Sequence, residues 1–169
     1  LGLLRFASGW SGAAADAGMT VYKRPVSVLV VIHTPDLQIL LLERAAHPGY
    51  WQSVTGSQET DEDLRHTAIR EVGEETGIVV DDDQLFDWQF TNRYEIFAEW
   101  RQRYAPGVTH NIEHVFPLCL PQPPSVTLAP SEHRAYCWLP WREAAACCFS
   151  WSNRDAILML AERTLLSPR

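Results

Sequence analysis

Hydrophobic positions along the chain follow two rhythms in turn. Residues 26–32, Val-Ser-Val-Leu-Val-Val-Ile, are β-branched and almost wholly apolar, the pattern of a central strand buried on both faces. Pro35-Asp36 marks a turn, and residues 39–42 read as a second strand, so the short gap between the two predicts a hairpin. His47-Pro48-Gly49 breaks the chain, residues 51–54 form a short third strand, and residues 56–61 are a polar loop. The period then changes. Leu64, Ala68, Ile69 and Val72 recur at spacings of three and four, which predicts a helix over residues 61–76, capped by Asp61 or Thr60 and stopped by Gly77. Beyond it, residues 85–100 carry two strand-like, aromatic-rich stretches, and residues 103–109 a turn or loop. Residues 114–120 are a strand, ended by Pro121-Gln122-Pro123-Pro124, and residues 136–139 a short one. A short helix over 141–148 and a C-terminal helix over 152–166, capped by Ser152, close the pattern. With no repeat and no linker, this order predicts one mixed α/β domain.

Composition narrows the class. A chain of 169 residues, 46% apolar and 21% charged, is long enough to bury a core without staples and is not disordered. Residues 1–18 lack the sustained apolar core of a secretion signal and read as an N-terminal extension outside a working domain that spans 19–169. Fourteen basic against twenty-one acidic residues give a net charge of -7. That argues against a sequence-independent nucleic-acid binder, and it admits an anionic substrate only if a cation stands between it and the protein. No apolar run approaches the roughly 18 residues of a membrane span, so no membrane association is expected. Cys119, Cys137, Cys147 and Cys148 form no C-x-x-C pair and have no His at zinc-finger spacing, which points to reduced thiols in a cytoplasmic protein. There is no H-E-x-x-H, no P-loop and no G-x-S-x-G, and nothing marks an obligate protein partner.

The chemistry concentrates in residues 56–78. On a helix, Glu71, Glu74 and Glu75 stand at i, i+3 and i+4 and share one face. Like charges at that spacing destabilise a helix, and anions near its C-terminus oppose the macrodipole. A multivalent cation relieves both costs, and oxygen-only ligands select a hard ion, Mg2+ first and Mn2+ second. Taken alone, an E-x-x-E-E run is more often a solvated face. The surrounding spacing changes the balance: Gly56, five residues, Glu62, seven residues, then Arg70-Glu71-Val72-Gly73-Glu74-Glu75-Thr76-Gly77-Ile78. Such a match arises by chance on the order of once in a billion start points.

This segment resembles the signature of the Nudix hydrolases. The resemblance implies an α/β/α sandwich with a mixed β-sheet and a loop–helix–loop metal site, and cleavage of a pyrophosphate bond. Carried onto this chain, Glu71 and Glu75 are the principal metal ligands and Glu74 a further ligand or base. Arg70 holds the glutamates and Glu62 braces the loop through Arg70. Asp61 stands where relatives often carry Gly, and Gly73 costs the helix about 1 kcal/mol against Ala with no functional reason evident.

Four further segments, residues 21–27, 51–57, 103–109 and 150–154, resemble the pterin-triphosphate branch of that family. That implies Mg2+-dependent hydrolysis of dihydroneopterin triphosphate to the monophosphate and pyrophosphate. By the same resemblance, Lys23, Arg44, Thr55, Ser150 and the segment Tyr94, Glu95, Ile96 and Phe97 contact substrate, and Glu132 is a metal ligand from outside the signature helix. The residues alone leave open whether Lys23 and Arg44 are phosphate contacts or strand-end charges, and whether Tyr94 and Phe97 are ring platform or core. The base is open among Glu74, Glu75 and Glu132. The alternatives are a nucleoside triphosphate or dinucleoside polyphosphate substrate, and a non-catalytic binding module, against which the complete set of three glutamates argues.

Overall fold

The computed structural model describes residues 21–166, so the 1–18 extension lies outside the described residues. The strands are β1 (Val26–His33), β2 (Gln38–Arg44), β3 (Trp51–Gln52), β4 (Val54–Ser57), β5 (Thr91–Glu95), β6 (His110–Cys119) and β7 (His133–Pro140). The helices are α1 (Leu64–Thr76), α2 (Trp141–Cys147) and α3 (Trp151–Leu166), with 3-10 turns at Asp82–Gln84 and Ala98–Arg103.

All seven strands join one mixed sheet along the path β3-β2-β1-β6-β5, with β4 against β1 and β7 against β2. β1 and β6 run parallel from Val26↔Ile112 to His33↔Cys119, and the other pairings are antiparallel. The expected β1–β2 hairpin forms, but the two strands pair only at His33↔Ile39, beside the turn. Beyond that point they part. β4 takes the edge of β1 from Val30↔Val54 to Ser27↔Ser57, and β7 lines β2. Ser53, between β3 and β4, carries the chain across the gap.

Side chains alternate across the strands, so β1 feeds two cores. Val28, Val30 and Ile32 pack with Leu40, Leu42 and α1 residues Ala68 and Val72. Leu29 and Val31 pack with Ile39, Leu41 and the α2–α3 residues Ala144, Ile157 and Leu160. The result is the expected α/β/α sandwich.

Several boundaries differ from the pattern reading; residues 51–57, for one, hold two strands, β3 and β4, so Gly56 and Ser57 are strand rather than loop. α1 begins at Leu64, not residue 61, and its cap is Asp63, whose carboxylate accepts from the His66 N–H at 2.8 Å. Gly77 ends it in the left-handed region at φ 69°, as expected. Residues 85–100 supply one strand rather than two: β1 occupies one edge of β6, β5 fills the other, and Trp88 and Phe90 pack on the α3 side as loop residues. β6 and β7 begin earlier than expected, at His110 and His133, because Asn111, Glu113 and His133 are polar residues buried inside strands. Ser152 lies buried within α3, and the cap is Ser150, whose hydroxyl accepts from the Asn153 N–H at 3.3 Å. The capping assignment at α1 has a direct check: Asp63→Ala is expected to lower urea stability by about 1 kcal/mol, and Asp61→Ala to leave it unchanged.

Candidate active site

The loop and the first turns of α1 are tied together by one side chain. Arg70 Nη2 donates to Glu62 Oε1 at 2.7 Å and its Nε to Glu62 Oε2 at 3.1 Å, a two-point clasp. Its Nη1 reaches Glu71 at 2.8 Å and Glu74 at 3.0 Å, and Nη2 also meets the Ser57 carbonyl at 3.1 Å. The Glu62 clasp holds the guanidinium firmly protonated and keeps the Glu62 carboxyl below the usual range. Glu62 Oε1 also accepts from the Glu59 N–H at 2.9 Å, which fixes the polar loop. Gly56 is required by close approach: a Cβ there would stand 1.8 Å from Glu71 Cδ.

The three helix glutamates divide. Glu71 and Glu75 are buried, the Glu74 side chain is 57% exposed, and of the three only Glu75 lines the cavity described below. Burial pushes the Glu71 carboxyl up to about 7, against the pull of Arg70 and with help from Glu75 and Glu74. Burial raises Glu75 as well, opposed mainly by His133.

A third acid arrives from the segment just before β7. Glu132 and His133, at the start of β7, meet Glu75 so that one ligand atom from each lies within 4.8 Å of the others. His133 Nε2 is 3.1 Å from Glu75 Oε2, yet neither atom, nor His133 Nδ1, has a hydrogen bond of acceptable geometry. Buried polar atoms left without a partner cost about 1–3 kcal/mol each. A divalent cation among them would satisfy the Glu75 oxygen and a ring nitrogen together. The donor set of carboxylates plus one imidazole therefore fits such an ion.

These groups border a cavity of about 1010 Å³ that opens where β1 and β2 separate. Lys23 and Arg44 line it, both lowered from their usual values first by burial and then, in part, by Arg103. Glu71 and Glu132 act on Lys23, and Glu75 acts on Arg44, so cations and acids share the space. Arg44 Nη1 donates to Gln52 Oε1, and Gln52 Nε2 to Thr55 Oγ1, each at 3.1 Å, while the guanidinium lies 5.3 Å from the Trp100 ring centre. Tyr94, Glu95, Ile96 and Phe97 all line the cavity. Ile96 is buried, Phe97 is half-exposed and edge-on to Trp100 at 5.1 Å, and Glu95 pairs with Arg101. Ser150 lines the cavity too, although its hydroxyl serves the α3 cap.

Of the residues named above, Lys23, Arg44, Thr55, Glu75, Glu132, Ser150 and the 94–97 segment line one cleft, whereas Glu62, Arg70, Glu71 and Glu74 stand behind it, joined by the Arg70 guanidinium. His133, Arg103, Gln52 and Trp100 were not foreseen. His133 follows Glu132 directly and Arg103 opens the quoted 103–109 segment, so both stood beside a recognised signal. Gln52 lies within the quoted 51–57 segment, and Trp100 had no such signal.

The chain matches the NUDIX domain over residues 23–159. It is 51% identical over 140 residues to the dihydroneopterin triphosphate diphosphatase of Escherichia coli, covering 81% of this chain and 92% of that protein. The enzyme of the same name from Haemophilus influenzae is 41% identical over 142 residues, covering 82% and 89%. The solved structure of the E. coli dihydroneopterin triphosphate pyrophosphohydrolase superposes with a TM-score of 0.78 at 49% identity, covering 85% of this chain and 99% of that one.

The raised Glu71 carboxyl has a measurable consequence. A cation bound by Glu71 would have to displace its proton, so affinity would be reduced below the folded value near 7 and level off above it. Calorimetric titration with Mn2+ is expected to show roughly tenfold weaker binding at pH 6 than at pH 8, and Glu71→Gln to flatten that dependence.

Proposed function

The chain belongs to the NUDIX family, and we propose that it hydrolyses dihydroneopterin triphosphate to dihydroneopterin monophosphate and pyrophosphate, with Mg2+ as its ion and Mn2+ able to replace it. The observation that carries this reading is 51% identity to an enzyme of that name over 92% of its length. The cleft's pairing of acids with the cations Lys23, Arg44 and Arg103 supports it.

The ion would be held by Glu71, Glu75 and Glu132, with His133 beside them, and when bound it supplies charge neutralisation and a more acidic water. The protein's own side chains do the rest. Arg70 and Glu62 fix the glutamates before substrate arrives, so the acids need no reorganisation. Lys23, Arg44 and Arg103 face the oxygens of the triphosphate, and Gln52 and Thr55 hold the Arg44 guanidinium in one orientation. Glu75 and Glu132, which line the cavity, are the acceptors for the proton of the attacking water; Glu74, turned toward solvent, is an anchor for Arg70. Phe97 and Trp100 form an apolar wall beside the cations.

No helix among the described residues is long and apolar enough to cross a membrane. The four free thiols suit a cytoplasmic location, and the substrate is a small molecule.

Incubation with dihydroneopterin triphosphate and Mg2+ is expected to release pyrophosphate, not orthophosphate. Glu75→Gln is expected to keep the wild-type circular dichroism and lose at least about 100-fold in kcat. Orthophosphate as the product, or near-normal turnover of Glu75→Gln at saturating Mg2+, contradicts the reading.

A further inference from the structure

The cavity holds a second buried carboxylate that the metal chemistry does not use. Glu113, the fourth residue of β6, is 4% exposed and lines the same space as Lys23 and Arg44. It stands two residues before Val115, so it shares the α3 side of the sheet, whereas Glu75 comes from α1 on the other side. The partners that oppose its burial are neutral: the hydroxyls of Ser152 and Tyr94 and the amide of Asn92, whose Nδ2 donates to Glu113 Oε1 at a long 3.3 Å. A carboxylate taken out of water without a cation costs several kcal/mol. Burial accordingly raises this carboxyl above its ordinary range.

The surroundings are built to leave that carboxylate available. Asn111, its neighbour two residues back, spends its Nδ2 on Ser27 Oγ at 2.7 Å and Tyr94 Oη at 3.0 Å. Asn153 is committed to Ser53 through both ends of its amide, at 2.7 and 2.9 Å. Each of these side chains is locked by a named partner, and none is a cation. An ionised carboxylate has about four acceptor sites, more than its neutral neighbours fill.

We propose that Glu113 is the ring-selecting residue of this enzyme: its carboxylate accepts the two adjacent N–H donors, the 2-amino group and N3–H, of a 2-amino-4-oxo pterin ring. The proposal rests on the pterin-triphosphate reading above and names the contact that makes the substrate specific. The two donors lie side by side and match the two oxygens of one carboxylate, as an arginine fork does. The triphosphate would then extend toward Lys23, Arg44 and the acidic cluster, which border the same cavity. A site that buries a hydrogen-bonding group for its substrate rejects analogues lacking the partner, because the group is then left unpaired.

The test compares wild type with Glu113→Gln, an isosteric change that puts a donor where an acceptor stood. Three quantities are read: kcat/KM for dihydroneopterin triphosphate, kcat/KM for UTP, which has no 2-amino group, and binding of neopterin followed by its own fluorescence without metal. The expected result is a loss of about 100-fold or more in kcat/KM for the pterin substrate and in neopterin affinity. UTP hydrolysis should change by less than about threefold, and the melting temperature should not fall. Glu113→Asp, which keeps the charge but withdraws it by one methylene, should give an intermediate loss on the pterin alone, and it decides the matter if the Gln variant fails to fold. Equal losses on pterin and UTP, or undiminished pterin turnover and neopterin binding, overturn the assignment. A wild-type protein that does not prefer the pterin triphosphate to UTP overturns the functional reading, and this proposal with it.

Discussion

Arg70 is the contact on which the site depends. Glu71, Glu74 and Glu75 crowd the last turns of a helix whose own dipole repels them, and a single guanidinium touches two of the three while gripping Glu62 in the loop before the helix. It stabilises one arrangement of the loop and neutralises only part of the charge. Gly56 lets the strand before the loop lie directly against the Glu71 carboxylate, so that acid is shut away from water. The remaining negative charge, on Glu71 and Glu75, is buried and incompletely matched, and His133 approaches without a hydrogen bond. An arrangement so frustrated within the protein has its natural completion in a divalent ion.

The sheet supplies the second half of the site through a defect in its own pairing. Had β1 and β2 stayed zipped along their length, the cleft would not exist. They meet at one pair and separate, β4 and β7 taking the freed edges, and the opening brings the end of β2 and the residues just before β1 to face the acids. Lys23, Arg44 and Arg103 meet there in a protein whose net charge is -7. Affinity for a polyanion is therefore a property of this local field and of the bound ion, not of the surface as a whole.

Much of this was legible in the chain. The apolar run of β1 and the spacing of Leu64, Ala68 and Val72 located the two layers around α1, because burial repeats with the period of the element. The i, i+3, i+4 spacing put three glutamates on one helix for the same reason, and of these Glu75 meets Glu132 and His133. Glu132 and the proposed substrate contacts come from resemblance alone, since no local period links residue 132 to residue 75. What escaped had buried polar side chains that mimic loop sequence: Asn111 and Glu113 hid the first residues of β6, and His133 the start of β7. Thr60, Asp61 and Asp63 are all competent caps by residue type, so the sequence does not single out Asp63, the one that accepts from the His66 N–H.

The central claim is that buried glutamates strain the metal-free protein and that a divalent ion relieves the strain. Thermal melting at pH 7, with and without millimolar Mg2+ or Mn2+, tests it most directly. The account predicts that metal raises the wild-type Tm by on the order of 5–10 °C, and that Glu71→Gln melts above wild type without metal and gains little from it. A wild-type Tm indifferent to both ions, together with a Glu71→Gln variant no more stable than the wild type, would contradict it.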